Sequence, residues 1–493
     1  MAGGELTSVT YRVDTHRVPS EPAPLEFGAT ATVEAPPREV TKRSLKAEEL
    51  VRMAGTRGDP LRAIEYMPGV GRSATAEVII RGSSPADSEV EFEGAPVYRL
   101  YHFGGLTSFV QPRLLDKIDL YPGNFSARFG RKMGGIVDVG LRDPKTDGLH
   151  GLLDVNLLDS SLLVEGPISR AWSFAVAARR SYFDLFIDKL VPKDAAQLTA
   201  APVYWDYQAM VAYKPSSADR FRAMVYGSYD DLKLILANPA DTDPAVRGGL
   251  GQKTVFHRAQ VTWQHKYSAD VEHQLDLSAG PFAFDVNVGP DVKLAVPGYE
   301  GFLRSEWRAR LVDQLRLIGG LDVSYHWFDF SFKGPVAGQV DGDPNAAGPL
   351  TGQPIVELHD QFGLPRPAAY LEAVWQPTVR LTMVPGARVD YLGDVHVWTF
   401  DPRFTARYQL NANTTLKGGV GLFSQAPSGS ESLPTLGNPH LRPSRAQHYS
   451  LGVEQDVGAR LKVTLEGFYK RLDRLIVDSP VPGEHLDNDG IGR

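Results

Sequence analysis

The sequence contains no cysteine, and this absence excludes several kinds of protein at once. Without cysteine there is no disulfide scaffold, zinc ribbon, thiol catalysis or iron–sulfur cluster. Long hydrophobic runs are also missing, because no window of about 18 uncharged apolar residues occurs, and this excludes a helical membrane protein. The exclusion does not extend to β-barrels, whose membrane strands alternate apolar and polar residues.

Charge of one sign is not in large excess, since 52 basic and 59 acidic residues leave a net charge of −7. This mild acidity gives no reason to expect a nucleic-acid partner. A hydrophobic fraction of 42% excludes wholesale disorder, and 493 residues allow either several globular domains or one small domain and one large β-barrel. Residues 1–21 lack a basic stretch followed by an apolar one, so either the protein stays in the cytoplasm or Met1 is not its natural start.

The common motifs of enzyme chemistry are absent as well. There is no His-Glu-x-x-His, no Gly-x-Ser-x-Gly and no phosphate-binding glycine loop. Asp341–Asn345 and Asp487–Gly490 resemble fragments of calcium loops, but both lack the later bidentate glutamate. We therefore expect no catalytic residue, no metal site and no cofactor.

Residues 148–493 show the clearest periodicity, which is the alternation of β-strands. From Leu303 to Leu317 the odd positions are mainly apolar, whereas the even positions carry arginine. These arginines are Arg304, Arg308, Arg310 and Arg316. Residues 205–213 and 463–469 alternate in the same way, and several runs match the roughly 9–11 residues of a tilted membrane strand.

A strand with one apolar and one charged face fits either a membrane barrel or a soluble β-sandwich or propeller. Aromatic residues near the strand ends favour the barrel, because they resemble interfacial girdles. Short connections also alternate with long polar ones, the long loops being predicted at Ala237–Gly251, Lys333–Pro365 and Phe423–Ser444. The pattern therefore favours a membrane barrel whose lumen holds a small domain.

Residues 36–147 contain five short motifs in a fixed order. They are Met67–Val70 (MPGV), Val78–Gly82 (VIIRG), Val90–Val97 (VEFEGAPV), Ile118–Gly130 (IDLYPGNFSARFG) and Met133–Val139 (MGGIVDV). In this order they resemble the plug domain of TonB-dependent outer-membrane receptors, with Glu93 where the family has aspartate. Asp401–Arg403, Lys417–Pro427, Asn438–Pro443 and Tyr449–Glu454 resemble that family's barrel. The resemblance covers roughly residues 29–493.

The resemblance implies a mainly β fold, in which an antiparallel transmembrane β-barrel (148–493) is occluded by a small α+β plug domain (36–147). It implies a receptor without enzymatic activity that actively takes up a scarce, bulky solute across a Gram-negative outer membrane. The solute classes known in the family are siderophores, cobalamin, saccharides and peptides. A soluble β-rich enzyme and a passive porin or surface adhesin are the alternatives.

Several plug residues are expected to be structural or to couple the plug to the barrel. Gly94, which follows Glu93, suits a hairpin turn that requires a positive φ. The glycines that permit close backbone approach are Gly123, Gly130, Gly134 and Gly135. Arg128 belongs to the same set, and Arg81, beside Gly82, is expected to form a buried ion pair with a barrel carboxylate, for which Glu454 is the candidate.

The resemblance also implies partners. Ala29, Thr30, Ala31, Thr32, Val33 and Glu34 form the best candidate for a TonB box, which would pair as an added strand with the TonB–ExbB–ExbD energy transducer. An ordinary linker strand is the alternative, because this segment is less apolar than the usual box. Tyr98, Arg99, Tyr101, His102 and Phe103 are the candidate ligand-binding residues at the plug apex. Outer-membrane lipid would surround the barrel.

The two ends of the chain suggest a piece of a longer protein. Residues 148–493 provide about 14 or 15 strands of membrane length, whereas a plugged transporter of this type has about 22. We therefore expect the barrel to be incomplete, with its C-terminal strands missing. Residues 1–35 are expected to be a linker or the tail of a preceding β domain, which would explain the missing signal peptide.

Overall fold

The computed structural model describes most of the chain from Val40 onward. The described residues are 40–46, 49, 55–56, 59–73, 77–97, 99–102, 105, 107–182, 185, 198–199, 203–236, 249–335, 355–432, 437–458, 461–478 and 486–488. They all belong to one compact unit, Glu39–Arg493. The candidate TonB box, residues 29–34, lies outside the described residues, as do Tyr98 and Phe103.

The plug domain is built on a small mixed sheet. Its strands are β1 (Arg43–Lys46), β2 (Val70–Arg72), β3 (Val78–Ile80), β4 (Glu89–Phe92), β5 (Ala95–Pro96), β6 (Leu115–Tyr121) and β7 (Ile136–Leu141), with 3₁₀ helices at Pro60–Tyr66 and Pro85–Asp87. Five strands follow the order β1-β6-β7-β4-β5, in which only β4 and β7 are parallel, while β2 and β3 form a separate hairpin. Asp59 caps the first helix by accepting the Leu61 N–H at 3.1 Å.

The remainder of the chain forms one large antiparallel sheet, which we call the barrel sheet. Its strands are β8 (His150–Val155), β9 (Asp159–Pro167), β10 (Trp172–Ser181), β11 (Leu198–Thr199), β12 (Val203–Tyr213), β13 (Asp219–Leu236), β14 (Leu250–Lys266), β15 (Val271–Val288), β16 (Val292–Val312), β17 (Leu315–Pro335), β18 (Ile355–Thr378), β19 (Leu381–Leu392), β20 (Val397–Asn411), β21 (Thr414–Gln425), β22 (Ser444–Val457) and β23 (Leu461–Asp473). A short helix, Gly429–Ser432, precedes β22, and a small hairpin of β24 (Val477–Asp478) and β25 (Leu486–Asp487) follows β23.

The barrel sheet is a meander in which neighbours in sequence are neighbours in space. Its order runs from β23 back to β8, and β11 lies off this path beside β13. Within the described residues, β8 and β23 are the two edges of the sheet, each paired on one side only. The mainly β, antiparallel fold predicted from the sequence is therefore confirmed. No helix in the described part of the chain is long and apolar enough to cross a membrane.

The outer face of the barrel sheet carries two bands of aromatic side chains. In one band Trp205 stacks on Tyr229 at 5.3 Å, and in the other Trp172 stacks on Tyr213 at 4.2 Å. Eight residues separate Trp205 from Tyr213 along β12, which corresponds to a height of about 20 Å for a tilted strand. Exposed apolar residues such as Val225 lie between the bands. This arrangement is typical of an outer-membrane barrel.

The two ends of the barrel sheet differ in the length of their connections. Short turns, such as 168–171, 214–218 and 313–314, lie at one end, which we call the short-turn end. The opposite, long-loop end carries long connections, among them 237–249 and 426–443, as predicted, together with short turns such as 289–291 and 393–396. The predicted loop at 333–365 is partly wrong, however, because β18 begins at Ile355 and pairs with β17 as far as Pro335. Strands continue there because backbone pairing needs no apolar side chain.

A hydrophobic core joins the plug domain to the inner face of the barrel sheet. Phe92 of the plug packs edge-on against Tyr226 of β13, with ring centroids 4.9 Å apart. Phe109 of the plug makes a similar contact with Phe256 of β14 at 5.4 Å. All four side chains are buried, so the plug lies inside the curve of the sheet.

Candidate functional site at the plug–barrel interface

Arg304 of β16 connects the plug domain to the barrel sheet through buried charges. It donates to both carboxylate oxygens of Glu91 at 3.1 and 2.9 Å, and to the Gly94 carbonyl at 2.9 Å. On the barrel side it donates to Asp322 at 3.0 Å. The side chains of Arg304, Glu91 and Asp322 are each 2% exposed, so this cluster is shielded from water, and removing one partner would leave a buried charge without its counter-ion.

The hairpin turn predicted at Glu93–Gly94 is present between β4 and β5. Glu93 has φ 53° and Gly94 has φ 82°, the left-handed values that a two-residue turn requires. The Glu93 carboxylate accepts the Leu141 N–H within the plug and pairs with Arg222 of β13. The turn therefore presents its side chain and its backbone to the barrel wall, where Gln260 donates to the Glu93 carbonyl at 2.8 Å.

Replacing Gly94 with alanine is expected to lower the free energy of unfolding by about 1–2 kcal/mol, since an L-residue is strained at this positive φ. The new Cβ would also lie 3.0 Å from the Arg128 guanidinium. The measurement is a urea titration of purified protein in lipid vesicles. Gly301→Ala is the matched control, because its φ is ordinary and no atom lies within 4 Å of its new Cβ. Equal losses for the two variants would contradict the turn-based explanation.

The segment from Gly123 to Gly135 is held mainly through its backbone. Arg403 of β20 donates to the carbonyls of Phe125, Ser126 and Phe129 at 3.1, 2.5 and 2.7 Å. Arg388 of β19 donates to the carbonyls of Arg128 and Ala127 at 2.9 and 3.3 Å. The barrel thus provides donors for plug carbonyls at residues 125–129, which lie between β6 and β7 and outside the plug sheet.

A carboxylate of the barrel also contacts this segment, as an acceptor of hydrogen bonds. Glu372 of β18 accepts the Ser126 hydroxyl at 2.8 Å and the Ala127 N–H at 2.5 Å. At the far end of the segment, Lys470 of β23 donates to the Gly134 carbonyl at 3.0 Å. Donors and acceptors of the barrel therefore fix both kinds of backbone group in the segment.

The four glycines of this segment lie where side chains would collide with neighbours. A Cβ at Gly130 would lie 2.0 Å from Nε of Arg388. A Cβ at Gly134 or Gly135 would lie under 3.0 Å from the plug's own residues, and one at Gly123 would lie 3.2 Å from Nδ1 of His448. The close approach expected of these residues is thus tightest against the barrel at Gly130.

Two plug arginines extend the charged contact to further strands. Arg128 donates to Glu306 of β16 at 3.4 Å. Arg131 donates to Asp322 at 2.9 Å and lies 3.1 Å from Asp390 of β19. Arg131 was not predicted as a contact residue, although it lies in the sequence between the motifs 118–130 and 133–139.

Arg81 pairs with a barrel carboxylate, but the expected partner, Glu454, is wrong. Arg81 donates to Glu466 of β23, and its guanidinium lies 4.3 Å from the Phe468 ring. Glu454 instead accepts from Arg407 at 2.6 Å and Lys417 at 2.9 Å. Glu466 lies opposite Gly452 in the sheet register, so Glu454 is two residues nearer the short-turn end than Arg81 requires. Gly82 follows Arg81 with φ 72°.

The residues predicted to bind ligand at the plug apex are not all exposed. Tyr101 is buried and donates its hydroxyl to the Leu61 carbonyl at 2.9 Å, so it is not an exposed loop residue. His102 is also buried, with barrel carboxylates on both sides of its ring. Arg99 is half-buried, and Tyr98 and Phe103 are outside the described residues. Tyr101 therefore bonds within the plug and His102 attaches the plug to the barrel, and neither is an exposed surface residue.

Most barrel residues of this interface, including Glu372, Arg388 and Arg403, were not predicted from the sequence as contacts of the plug. Their signal was available, because each occupies an inward position of an alternating strand, as Arg304 does. In the described residues no group of three or more histidines and carboxylates could hold a metal ion.

Comparison with known proteins agrees with this architecture. Residues 204–489, more than half of the chain, match the family model described as TonB dependent receptor-like, beta-barrel. No curated protein sequence matches the chain.

Solved structures share the fold at low sequence identity. A mutant of the ferric enterobactin receptor PfeA from Pseudomonas aeruginosa has a TM-score of 0.70 at 16% identity, over 89% of this chain and 72% of that one. The siderophore receptor PirA from Acinetobacter baumannii has a TM-score of 0.67 at 18% identity, over 89% and 71% of the two chains. The outer membrane transporter YddB from Escherichia coli has a TM-score of 0.65 at 12% identity, over 88% and 70%. The chain therefore belongs to the family of TonB-dependent receptors, as a plugged β-barrel of the outer membrane.

Proposed function

We propose that this receptor actively takes up a scarce, bulky solute and that the TonB–ExbB–ExbD complex supplies the energy. The observation that carries the proposal is the plug itself, which is held inside the barrel sheet by buried charges and backbone hydrogen bonds. A solute cannot diffuse past such a plug, so its passage requires work. No step of this function forms or breaks a covalent bond, and we propose no enzymatic activity.

The chemistry of the interface supports a plug that can be displaced. Hydrogen-bonded backbone groups exchange protein partners for water at a modest net cost, about 0.5–1.5 kcal/mol for a typical hydrogen bond. Arg403 and Glu372 bind plug backbone groups of the kind that water can also satisfy. Ligand binding at the long-loop end would shift the population of plug arrangements, and the transducer would then pull on the plug from its N-terminal side.

Ferric siderophores are the first ligand class to test. The neighbours PfeA and PirA are named as a ferric enterobactin receptor and a siderophore receptor. Cobalamin, saccharides and peptides are the other classes. The proposal for the transducer contact is the segment Ala29–Glu34, which would add as a strand to the periplasmic partner.

Val33→Pro is expected to abolish uptake and leave ligand binding unchanged, because proline removes the backbone N–H that an added strand donates. The measurement compares cell-surface binding with energy-dependent uptake of a labelled ferric siderophore, in cells that produce the full gene product. Val33→Thr is the matched control, since it keeps the backbone donor.

Two outcomes of this experiment have different meanings. If the Val33→Pro variant takes up the siderophore as well as the wild type does, the TonB box does not lie at residues 29–34. That result would leave the proposed transport function unchanged. Uptake by the wild-type receptor in cells without the transducer would contradict the proposed function itself.

A further inference from the structure

His102 lies in a second plug–barrel contact, on the opposite part of the barrel from Arg81. Its Nδ1 is 3.0 Å from Asp230 of β13, and its Nε2 is 3.0 Å from Asp206 of β12. The His102 side chain is completely buried, and its ring stacks on Tyr204 at 4.4 Å. Both nitrogens of one imidazole thus face carboxylates from two different barrel strands.

This geometry determines the protonation state that fits. An ionised carboxylate only accepts hydrogen bonds, so each ring nitrogen must carry a proton to donate to it. A neutral imidazole has one protonated nitrogen, and its bare nitrogen would then face a carboxylate without a hydrogen bond. The contact is complete only when His102 is the imidazolium cation.

Other charged and polar groups surround His102 and its two carboxylates. Arg179 of β10 donates to Asp206 at 2.7 Å and so shares that carboxylate with His102. The Tyr204 hydroxyl donates to Asp159 of β9 at 2.5 Å, and in the plug Ser108 donates to Asp59 at 2.9 Å. Burial raises the pKa of the Asp59 carboxyl above its ordinary value. Among these residue types, histidine is the one whose ordinary pKa, about 6.5, lies near neutral pH. Ser228 is the remaining polar neighbour, with its hydroxyl 3.4 Å from Nδ1 of His102.

We propose that His102 is a proton-operated latch, which fastens the plug residues 99–102 and 107–111 to β12 and β13 when protonated and releases them when it loses its proton. These plug residues also form backbone hydrogen bonds with one another. The backbone N–H of His102 donates to the Thr107 carbonyl at 2.8 Å, and the backbone N–H of Phe109 donates to the Leu100 carbonyl at 3.1 Å. The latch goes beyond the proposed function, because it makes displacement of the plug depend on external pH.

The direction in which pH affects the latch follows from the difference between the pKa of His102 when the plug segment is docked and its pKa when the segment is released. Burial lowers the pKa of His102, but Asp230 and Asp206 raise it by more, so the net pKa of the docked residue is raised. A raised pKa in the docked state means that the latch is fully formed below about pH 6.5, the ordinary value for histidine. Its contribution is then lost progressively as the pH rises toward the docked pKa. Alkaline conditions therefore favour release.

Hydrogen–deuterium exchange on the full chain in detergent micelles tests the latch directly. Samples are labelled between pH 6 and pH 9, with labelling times scaled to the intrinsic exchange rate at each pH. In the wild type, the protection factors of the His102 and Phe109 amides are expected to fall with pH above about pH 6.5, by up to about tenfold per pH unit, and to level off above the docked pKa, because opening releases one proton. The amides of β6 are the internal reference, and their protection is expected to stay constant.

Two variants separate the latch from general loosening of the plug. His102→Gln has no titrating group, so its protection is expected to be low and independent of pH. Asp230→Asn keeps a partner for either form of the ring, because an amide both donates and accepts, and a much shallower fall is expected. The proposal would be overturned if the wild-type protection factors did not change with pH. It would also be overturned if the protection factors of His102→Gln fell with pH as steeply as those of the wild type. Ligand and transducer are absent from this measurement, so failure of the proposed uptake function would leave it unchanged.

Discussion

Replacing Arg304 with methionine is expected to lower the free energy of unfolding by about 3–5 kcal/mol, the cost of removing one partner from a buried ion pair. The substitution leaves the Glu91 carboxylate buried without its bidentate donor and deprives the Gly94 carbonyl of a hydrogen bond. Asp322 is affected less, because Arg131 and Arg388 remain close to it. The measurement is urea-induced unfolding in lipid vesicles, followed by tryptophan fluorescence.

Arg310→Met is the matched control, because Arg310 lies on the same strand and pairs with the exposed Asp270. A surface ion pair contributes about 1 kcal/mol or less, so a small loss is expected. Adding Glu91→Gln to Arg304→Met removes the buried carboxylate charge that has lost Arg304 as its partner. The double variant is therefore expected to recover part of the stability. Equal losses for Arg304→Met and Arg310→Met would show that burial of the plug contact does not determine its strength.

The faces of the barrel strands could be predicted from the sequence, because side chains alternate with a period of two. Arg304 points inward and Trp307 is exposed on the outer face, as the alternation from Leu303 to Leu317 indicates. That run is nevertheless two strands, since β16 ends at Val312 and β17 begins at Leu315. A connection of two residues keeps the alternation in phase, so the periodicity continued through a turn that it could not reveal.

The partners across the plug–barrel interface could not be predicted in the same way. Alternation assigns a residue to a face, but the height of that residue in the wall depends on the register of every preceding strand. Glu454 and Glu466 both face inward on neighbouring strands, and only the register places Glu466 beside Arg81. The motif order identified the plug, while the identity of its contacts required the three-dimensional structure.

The aromatic stretch from Tyr98 to Phe103 illustrates a related limit. Its composition indicated a surface for an amphipathic ligand, yet Tyr101 and His102 are buried. The carboxylates beside His102, those of Asp206 and Asp230, lie more than 100 positions later in the chain, and the carbonyl that Tyr101 contacts, that of Leu61, lies 40 positions earlier. A local reading of a polar aromatic loop cannot show distant carboxylates that would bind it.

Gly130→Ala is expected to destabilise the contact between plug and barrel by adding an atom, whereas Arg304→Met removes a charge. The new Cβ would lie 2.0 Å from Nε and 2.6 Å from Cζ of Arg388, a side chain with no exposed surface. Arg388 would have to move, which would weaken its pair with Asp390 and its hydrogen bond to the Arg128 carbonyl. Overpacking costs about 1–3 kcal/mol, and a pair that is weakened but not broken adds only part of the roughly 3–5 kcal/mol that breaking it would cost. We expect a total loss of about 3–5 kcal/mol in the same unfolding assay.

A double-mutant cycle with Arg388→Met tests whether the collision with Arg388 is the cause. The methionine side chain is shorter and uncharged, so the added Cβ at residue 130 would meet less resistance in the double variant. The combined loss is therefore expected to be smaller than the sum of the two single losses by at least about 1 kcal/mol, as is usual for residues in direct contact. Additive losses would mean that Gly130 is required for its own backbone conformation, and that its closeness to the barrel arginine has no energetic role.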